Sequence, residues 1–255
     1  EEWLATTQKW KKEYPVVQPR QWEENGSTAN VYAFVRYMSS KLPENSLTAV
    51  SNGACCVVGN QAYVIQKGSR MANNSAVASM GYGLPAAIGT CIGGKRRTTI
   101  CLEGDGSIMM NLQELQTIIT NKLPIKIFLI NNNGYHSIRL TQNNLFKEHC
   151  KVGIGPESQD LSFPEFKRIA EAFGYKYYSA SSNEEMKKTV DEVLKEDGPL
   201  FCEIFTDTKQ VWEPKSSTKR LEDGTLVSPP LEDLAPFLPR EELKKQMFIP
   251  LMDEE

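Results

Sequence analysis

Two glycine-containing turns carry the residues best suited to chemistry. A strand-like run at 98–102 (Thr-Thr-Ile-Cys-Leu) leads into Glu103-Gly104-Asp105-Gly106-Ser107 and then into a helical pattern. A second run at 125–130 (Ile-Lys-Ile-Phe-Leu-Ile) leads into Asn131-Asn132-Asn133-Gly134. An aspartate, an asparagine oxygen and a backbone carbonyl are hard oxygen donors. They suit Mg²⁺, which also takes oxygens from phosphates and water. In a doubly wound sheet, ligands sit outside the carboxyl ends of the strands, so adjacent strands here would bring Asp105 and Asn132 to one edge. The glycines let the backbone approach a diphosphate closely. The amides of Gly106 and Ser107 would open a helix, which favours anions. One metal and one helix terminus could therefore hold a diphosphate.

The elements that must position these turns alternate along the chain. Helical spacing covers 30–42 after a Ser27/Thr28 cap, with Val31, Phe34, Val35 and Met38 on one face. A short strand follows at 47–51, then a small-residue helix at 80–92 with Pro85 in its first turn. After the strand at 98–102 come a helix at 111–120, the strand at 125–130 and a helix at 163–173 closed by Gly174. A strand at 175–178, a helix at 184–194 and a strand at 200–205 complete the series. This alternation predicts an α/β fold, a parallel sheet with helices on both faces. Residues 1–25 read as a linker helix and connection, 26–212 as the ligand-binding domain, and 213–255, rich in Pro and charge, as an extended arm with a short helix at 240–247.

Composition narrows the function classes. The 255 residues carry a formal charge of -3, and Lys and Arg are dispersed among acids, which argues against a nucleic-acid surface. The longest apolar runs, about seven residues, fall far short of the roughly 20 that span a bilayer. Cys55, Cys56, Cys91, Cys101, Cys150 and Cys202 form no C-x-x-C pair and read as reduced thiols of a cytoplasmic protein. With only His136 and His149 present, zinc is not expected. No signal peptide is read at the start, and the opening Trp3 to Pro15 reads as a helix arriving from a longer protein. Gly81-Tyr82-Gly83-Leu84-Pro85-Ala86 fits a dinucleotide fingerprint formally, but small polar residues precede it where a hydrophobic strand is needed.

Gly104-Asp105-Gly106-Ser107, Asn111-Leu112-Gln113-Glu114-Leu115, Leu123-Pro124-Ile125-Lys126 and Asn131-Asn132 together resemble the thiamine diphosphate motif of the acetolactate synthase-like enzymes. Asn132 stands 27 positions after Asp105, within the usual spacing of that family. The resemblance covers nearly the whole chain, as the C-terminal, diphosphate-binding domain. It implies thiamine diphosphate and Mg²⁺ as cofactors, with Asp105, Asn132 and the Gly134 carbonyl as metal ligands. Gly104, Gly106, Ser107, Gly134 and Tyr135 would line the diphosphate. Met80 would wedge the cofactor into its bent shape, and the Ala78 carbonyl would meet the aminopyrimidine. Gly53, Ala54 and Cys55 stand where the family carries a Gln-His pair, so backbone amides would have to replace those side chains.

The segment Tyr135-His136-Ser137-Ile138-Arg139-Leu140-Thr141-Gln142 replaces an apolar loop of acetolactate synthases. It resembles a subgroup associated with polysaccharide or modified-sugar biosynthesis. His136 could shuttle protons, Arg139 could hold a carboxylate or phosphate, and Gln142 could orient an acceptor. The resemblance implies a carboligase that decarboxylates a 2-oxo acid, with pyruvate the first choice, and passes the acyl unit to a 2-oxo acid or keto sugar. A simple decarboxylase or lyase and a non-catalytic cofactor-binding subunit are the alternatives. The glutamate that activates the cofactor belongs to a separate pyrimidine-binding domain, and Glu103, on the diphosphate side, is a poor substitute. This chain should therefore hold half a site, completed by an upstream segment or another chain in a homo-dimer or tetramer. Any flavin site would lie in a middle domain outside these residues.

Overall fold

The computed structural model describes residues 1–23, 26–146, 151–220 and 223–249. His149, Cys150 and the boundary drawn after residue 25 fall at or beyond the limits of the described residues. Two compact units are present, Glu1–Gln210 and Val211–Glu255.

In the first unit the strands are β1 (Leu47–Val50), β2 (Arg70–Asn73), β3 (Thr99–Gly104), β4 (Ile125–Asn131), β5 (Lys176–Ala180) and β6 (Leu200–Phe205). They form one parallel sheet in the order β2-β1-β3-β4-β6-β5. The helices are α1 (Glu2–Glu13), α2 (Pro19–Glu23), α3 (Val31–Ser40), α4 (Ala54–Ala62), α5 (Gly83–Gly93), α6 (Asp105–Ile108), α7 (Glu114–Thr120), α8 (His136–Leu145), α9 (Phe166–Ala172) and α10 (Asn183–Lys195). In the second unit β7 (Lys219–Arg220) and β8 (Leu226–Val227) pair antiparallel, and α11 spans Arg240–Gln246. There Arg240 holds Asp233 through both carboxylate oxygens, at 2.7 and 2.9 Å. No helix among the described residues is long and apolar enough to cross a membrane.

Burial explains the sequence pattern. The central strands β3, β4 and β6 are buried almost throughout, as expected when helices cover both faces of a parallel sheet. Successive β4 side chains point to opposite faces. Ile125, Ile127 and Leu129 join Leu84, Ala87 and Cys91 of α5, Leu115 and Ile118 of α7, and Phe166 and Ala170 of α9. On the other face the Phe128 ring lies 5.6 Å from that of Phe34 in α3. Lys126, on that same face, donates from Nζ to the Val193 carbonyl at 2.6 Å and to the Glu196 carbonyl, closing the end of α10.

Local departures from the sequence reading have local causes. The cap of α3 is Asn30 rather than Ser27 or Thr28. Its side chain accepts from the amides of Tyr32 and Ala33, and its own amide donates to Asn183 Oδ1. Helix α5 begins at Gly83 instead of residue 80, because Gly81 takes a positive φ that breaks the helical run. Strand β2 was not expected, since Arg-Met-Ala-Asn has no apolar alternation and sits at a sheet edge. Residues 136–145 form a helix although their polar and β-branched side chains favour helices weakly.

Candidate functional site

Neighbouring β3 and β4 pair with Gly104 opposite Ile130, which brings the turns following them to one sheet edge. Asp105 opens α6 there and is 2% exposed. Its Oδ1 accepts from the Gly106 amide at 3.0 Å and its Oδ2 from the Gly134 amide at 2.8 Å. Burial pushes the carboxyl up to about 7, against the pull of those amides and of the Arg139 charge.

Asn132 is buried beside this carboxylate's partner, and its Oδ1 has no hydrogen-bond donor. An unsatisfied buried amide oxygen costs about 1–3 kcal/mol. Its presence in a turn fastened to a buried carboxylate fits a hard cation held by oxygens. The turn itself is well specified: Asn131 Oδ1 accepts from the Asn133 amide at 2.8 Å, and Asn133 sits at φ +55°.

The neighbouring glycines are tied to this geometry. A Cβ on Gly106 would lie 2.4 Å from the Tyr135 ring, which in turn packs edge-on against Phe163. A Cβ on Gly134, at φ +146°, would lie 1.9 Å from the Ile154 carbonyl oxygen. Ser107 is a strut: its Oγ lies 2.8 Å from Ser51 Oγ and accepts from the Gly81 amide at 2.9 Å. Its side chain thus joins the end of β1 to the Gly81 turn and the α6 turn, leaving the backbone for any ligand contact.

On the β1 side, Gly53 at φ +61° precedes α4, whose first turn contains Ala54 and Cys55. The Cys55 side chain is fully buried, and burial pushes its thiol well up. Only backbone amides of this turn are available to a ligand, as helix geometry leaves the first ones without intrahelical acceptors. Ala78 adopts a positive φ of +52°, and its carbonyl accepts from Asn52 Nδ2 at 2.9 Å. Met80 is 42% exposed, so its side chain reaches the surface.

The three side chains expected to meet a substrate are turned to the protein instead. His136 and Arg139 are 5% and 2% exposed. His136 Nε2 meets the Gln210 carbonyl at 2.5 Å, so that nitrogen carries the proton and Nδ1 accepts from Arg139 Nη1 at 3.1 Å. Burial lowers its pKa. Arg139 also donates to the carbonyls of Asn132 at 3.1 Å and Asn133 at 2.8 Å, and to Glu157 at 3.2 Å. Gln142 exchanges two hydrogen bonds with the Val152 backbone, at 2.7 and 3.1 Å.

Glu103, a poor substitute for the activating glutamate by its place in the sequence, is held inside the protein. It is fully buried, its Oε1 accepts from the Gly104 amide, and Oε2 lacks a well-aligned donor. Burial raises its pKa, partly offset by the nearby Ser51 and Ser107 hydroxyls and the Gly104 and Leu84 amides. Gly83 makes room for it: a Cβ there would lie 2.1 Å from Glu103 Oε2. That contact accounts for one glycine of the false dinucleotide fingerprint.

The family described as "Thiamine pyrophosphate enzyme, C-terminal TPP binding domain" matches residues 51–204, from the end of β1 into β6. The chain belongs to this family. As a thiamine pyrophosphate (thiamine diphosphate) binding domain it is similar to acetolactate synthase large subunits. That of Cyanidium caldarium is 30% identical over 208 residues, covering 82% of this chain and 34% of the relative. That of Pyropia yezoensis is 29% identical over 207 residues, covering 79% and 33%. Isozyme 2 of Escherichia coli K12 is 29% identical over 185 residues, covering 71% and 33%. The domain thus spans about a third of the length of these relatives. Its fold is shared with the Rhodococcus jostii RHA1 thiamine diphosphate-dependent 4-hydroxybenzoylformate decarboxylase, with a TM-score of 0.61 and 21% identity over 71% of this chain and 33% of that one.

Proposed function

We propose that this domain is the diphosphate-binding half of an acetolactate synthase-like carboligase that decarboxylates a 2-oxo acid, pyruvate by preference. The acyl unit would pass to a carbonyl acceptor such as a second 2-oxo acid or a keto sugar. When bound, thiamine diphosphate supplies the electron sink for decarboxylation. This chain's residues anchor and orient it. Asp105, Asn132 Oδ1 and the Gly134 carbonyl would hold Mg²⁺. The amides around Gly104, Gly106 and Ser107, with those at Gly53, Ala54 and Cys55, would face the diphosphate, and Tyr135 would wall it. Met80 would support the bent cofactor, and the Ala78 carbonyl would orient its aminopyrimidine. The activating glutamate would come from a pyrimidine-binding domain, upstream or on another chain, within a homo-dimer or tetramer working in the cytoplasm.

The observation that carries this reading is the buried, donor-less Asn132 Oδ1 in a turn hydrogen-bonded to the buried Asp105 carboxylate. The test is calorimetric titration of the full-length protein with thiamine diphosphate, with and without Mg²⁺, followed by CO₂ release from pyruvate. Metal-dependent binding and CO₂ release are expected. Trapping the product with and without added acceptor separates a carboligase from a decarboxylase or lyase. Binding without turnover of any 2-oxo acid would leave a cofactor-binding subunit and overturn the catalytic reading.

A further inference from the structure

The buried guanidinium of Arg139 has an occupation that substrate binding does not explain. Its Nη1 and Nη2 donate to two successive carbonyls, those of Asn132 and Asn133, and its Nε donates to Glu157. Planar forks of this kind fix the relative orientation of two acceptors, which a lysine ammonium does not. The turn they hold is the one whose Gly134 amide reaches Asp105 and whose Asn132 Oδ1 is unpaired. Space around the fork is fully used. A Cβ on Gly134 would lie 2.8 Å from Arg139 Nη2, and one on Gly155 would lie 3.4 Å from the same atom.

The fork is itself held on its far side. Glu157 forms an ion pair with Nε at 3.2 Å. His136, carrying its proton on Nε2 toward Gln210, offers Nδ1 to Nη1. Helix α8 therefore places a residue pair one turn apart against the β4 turn, and the sequence offset of three brings both onto one face.

We propose that Arg139 is a positioning residue for the metal. Its guanidinium locks the carbonyls of Asn132 and Asn133, and so holds the turn in the conformation that frees Asn132 Oδ1 for a cation while Gly134 stays fastened to Asp105. His136 and Glu157 hold the guanidinium in that orientation. This rests on the metal-binding reading above. Groups behind metal ligands of this kind change metal affinity by roughly 10–100-fold when removed.

The test is Mn²⁺ binding to the full-length protein, followed by electron paramagnetic resonance in the presence of thiamine diphosphate, for wild type, Arg139→Lys and Glu157→Gln. Arg139→Lys keeps a charge and loses the fork, and roughly 10–100-fold weaker Mn²⁺ binding is expected. With metal and cofactor saturating, the KM for the 2-oxo acid should stay within about twofold of wild type. Glu157→Gln alters a half-exposed side chain and should weaken Mn²⁺ binding measurably but by less than Arg139→Lys, which keeps the proposal testable if Arg139→Lys does not fold. Unchanged Mn²⁺ affinity in both variants, or a raised KM with unchanged metal affinity, would overturn the proposal and return Arg139 to the substrate. A wild-type protein that binds no Mn²⁺ would instead overturn the metal-binding reading itself.

Discussion

Gly134 donates its amide to Oδ2 of Asp105 at 2.8 Å, and this single hydrogen bond fastens the turn after β4 to the turn after β3. The two turns are far apart in sequence but share one sheet edge. Displacing the carboxylate would break this bond to the asparagine turn.

Replacing Asp105 by Asn keeps the shape and removes the charge. Thiamine diphosphate binding in the presence of Mg²⁺ should weaken roughly 100-fold, about 2.8 kcal/mol at 1.4 kcal/mol per tenfold. Calorimetry on the full-length protein checks this, and affinity within threefold of wild type would contradict the assigned ligand.

Gly134→Ala asks a non-glycine residue to hold φ +146° and to place Cβ 1.9 Å from the Ile154 oxygen. The expected loss is about 2–4 kcal/mol of stability, read by urea unfolding, because the obstacle is backbone rather than a flexible side chain. Gly106→Ala meets the Tyr135 ring instead, which can turn aside. It should cost about 1–3 kcal/mol of stability and also weaken thiamine diphosphate binding by calorimetry.

Gly83→Ala should destabilise the domain by about 1–3 kcal/mol by driving a methyl into the Glu103 carboxyl. Glu103→Ala in the same chain opens that space. The two changes together should cost less than the sum of each alone, since contacting residues are not additive. Additive losses in a double-mutant cycle would show that the contact is not the cause.

The buried thiols predict an alkaline limit. Burial pushes the Cys101 and Cys202 thiols far above their usual range. In the unfolded chain they ionise near 8.5. The fold then retains protons that the unfolded chain releases, so these groups make stability fall as pH rises above about 8.5. Native protein at pH 8 should label slowly at both positions with a thiol reagent, and all six cysteines of the chain should label after denaturation. Fast native labelling of Cys101 or Cys202 would refute their burial.

Phe128→Ala removes a fully buried ring that packs on Phe34. About 3–5 kcal/mol of stability should be lost. Metal affinity of the protein that remains folded should stay near wild type, because Phe128 precedes the turn and faces α3. A large affinity loss in folded protein would show that core packing, not the turn, sets the ligand geometry.

The sequence by itself determined the parallel α/β alternation, because buried strands such as 125–130 are apolar runs, interrupted there only by Lys126, and need no distant information to read. It also determined the glycine turns and the residue types that make an oxygen-donor site, since Gly, Asp and Asn do that work through intrinsic backbone freedom and hard oxygens. Tertiary structure alone decided which side chains are free to act. His136, Arg139 and Gln142 look alike in sequence to residues awaiting a substrate, yet each spends its polar atoms on the backbone or on a neighbour. The same holds for Glu103 and Gly83, which lie twenty positions apart and meet only because β3 and α5 pack together. Hydrogen-bond capacity is a property of a residue, but whether it is already satisfied depends on partners that only the fold brings within 3 Å.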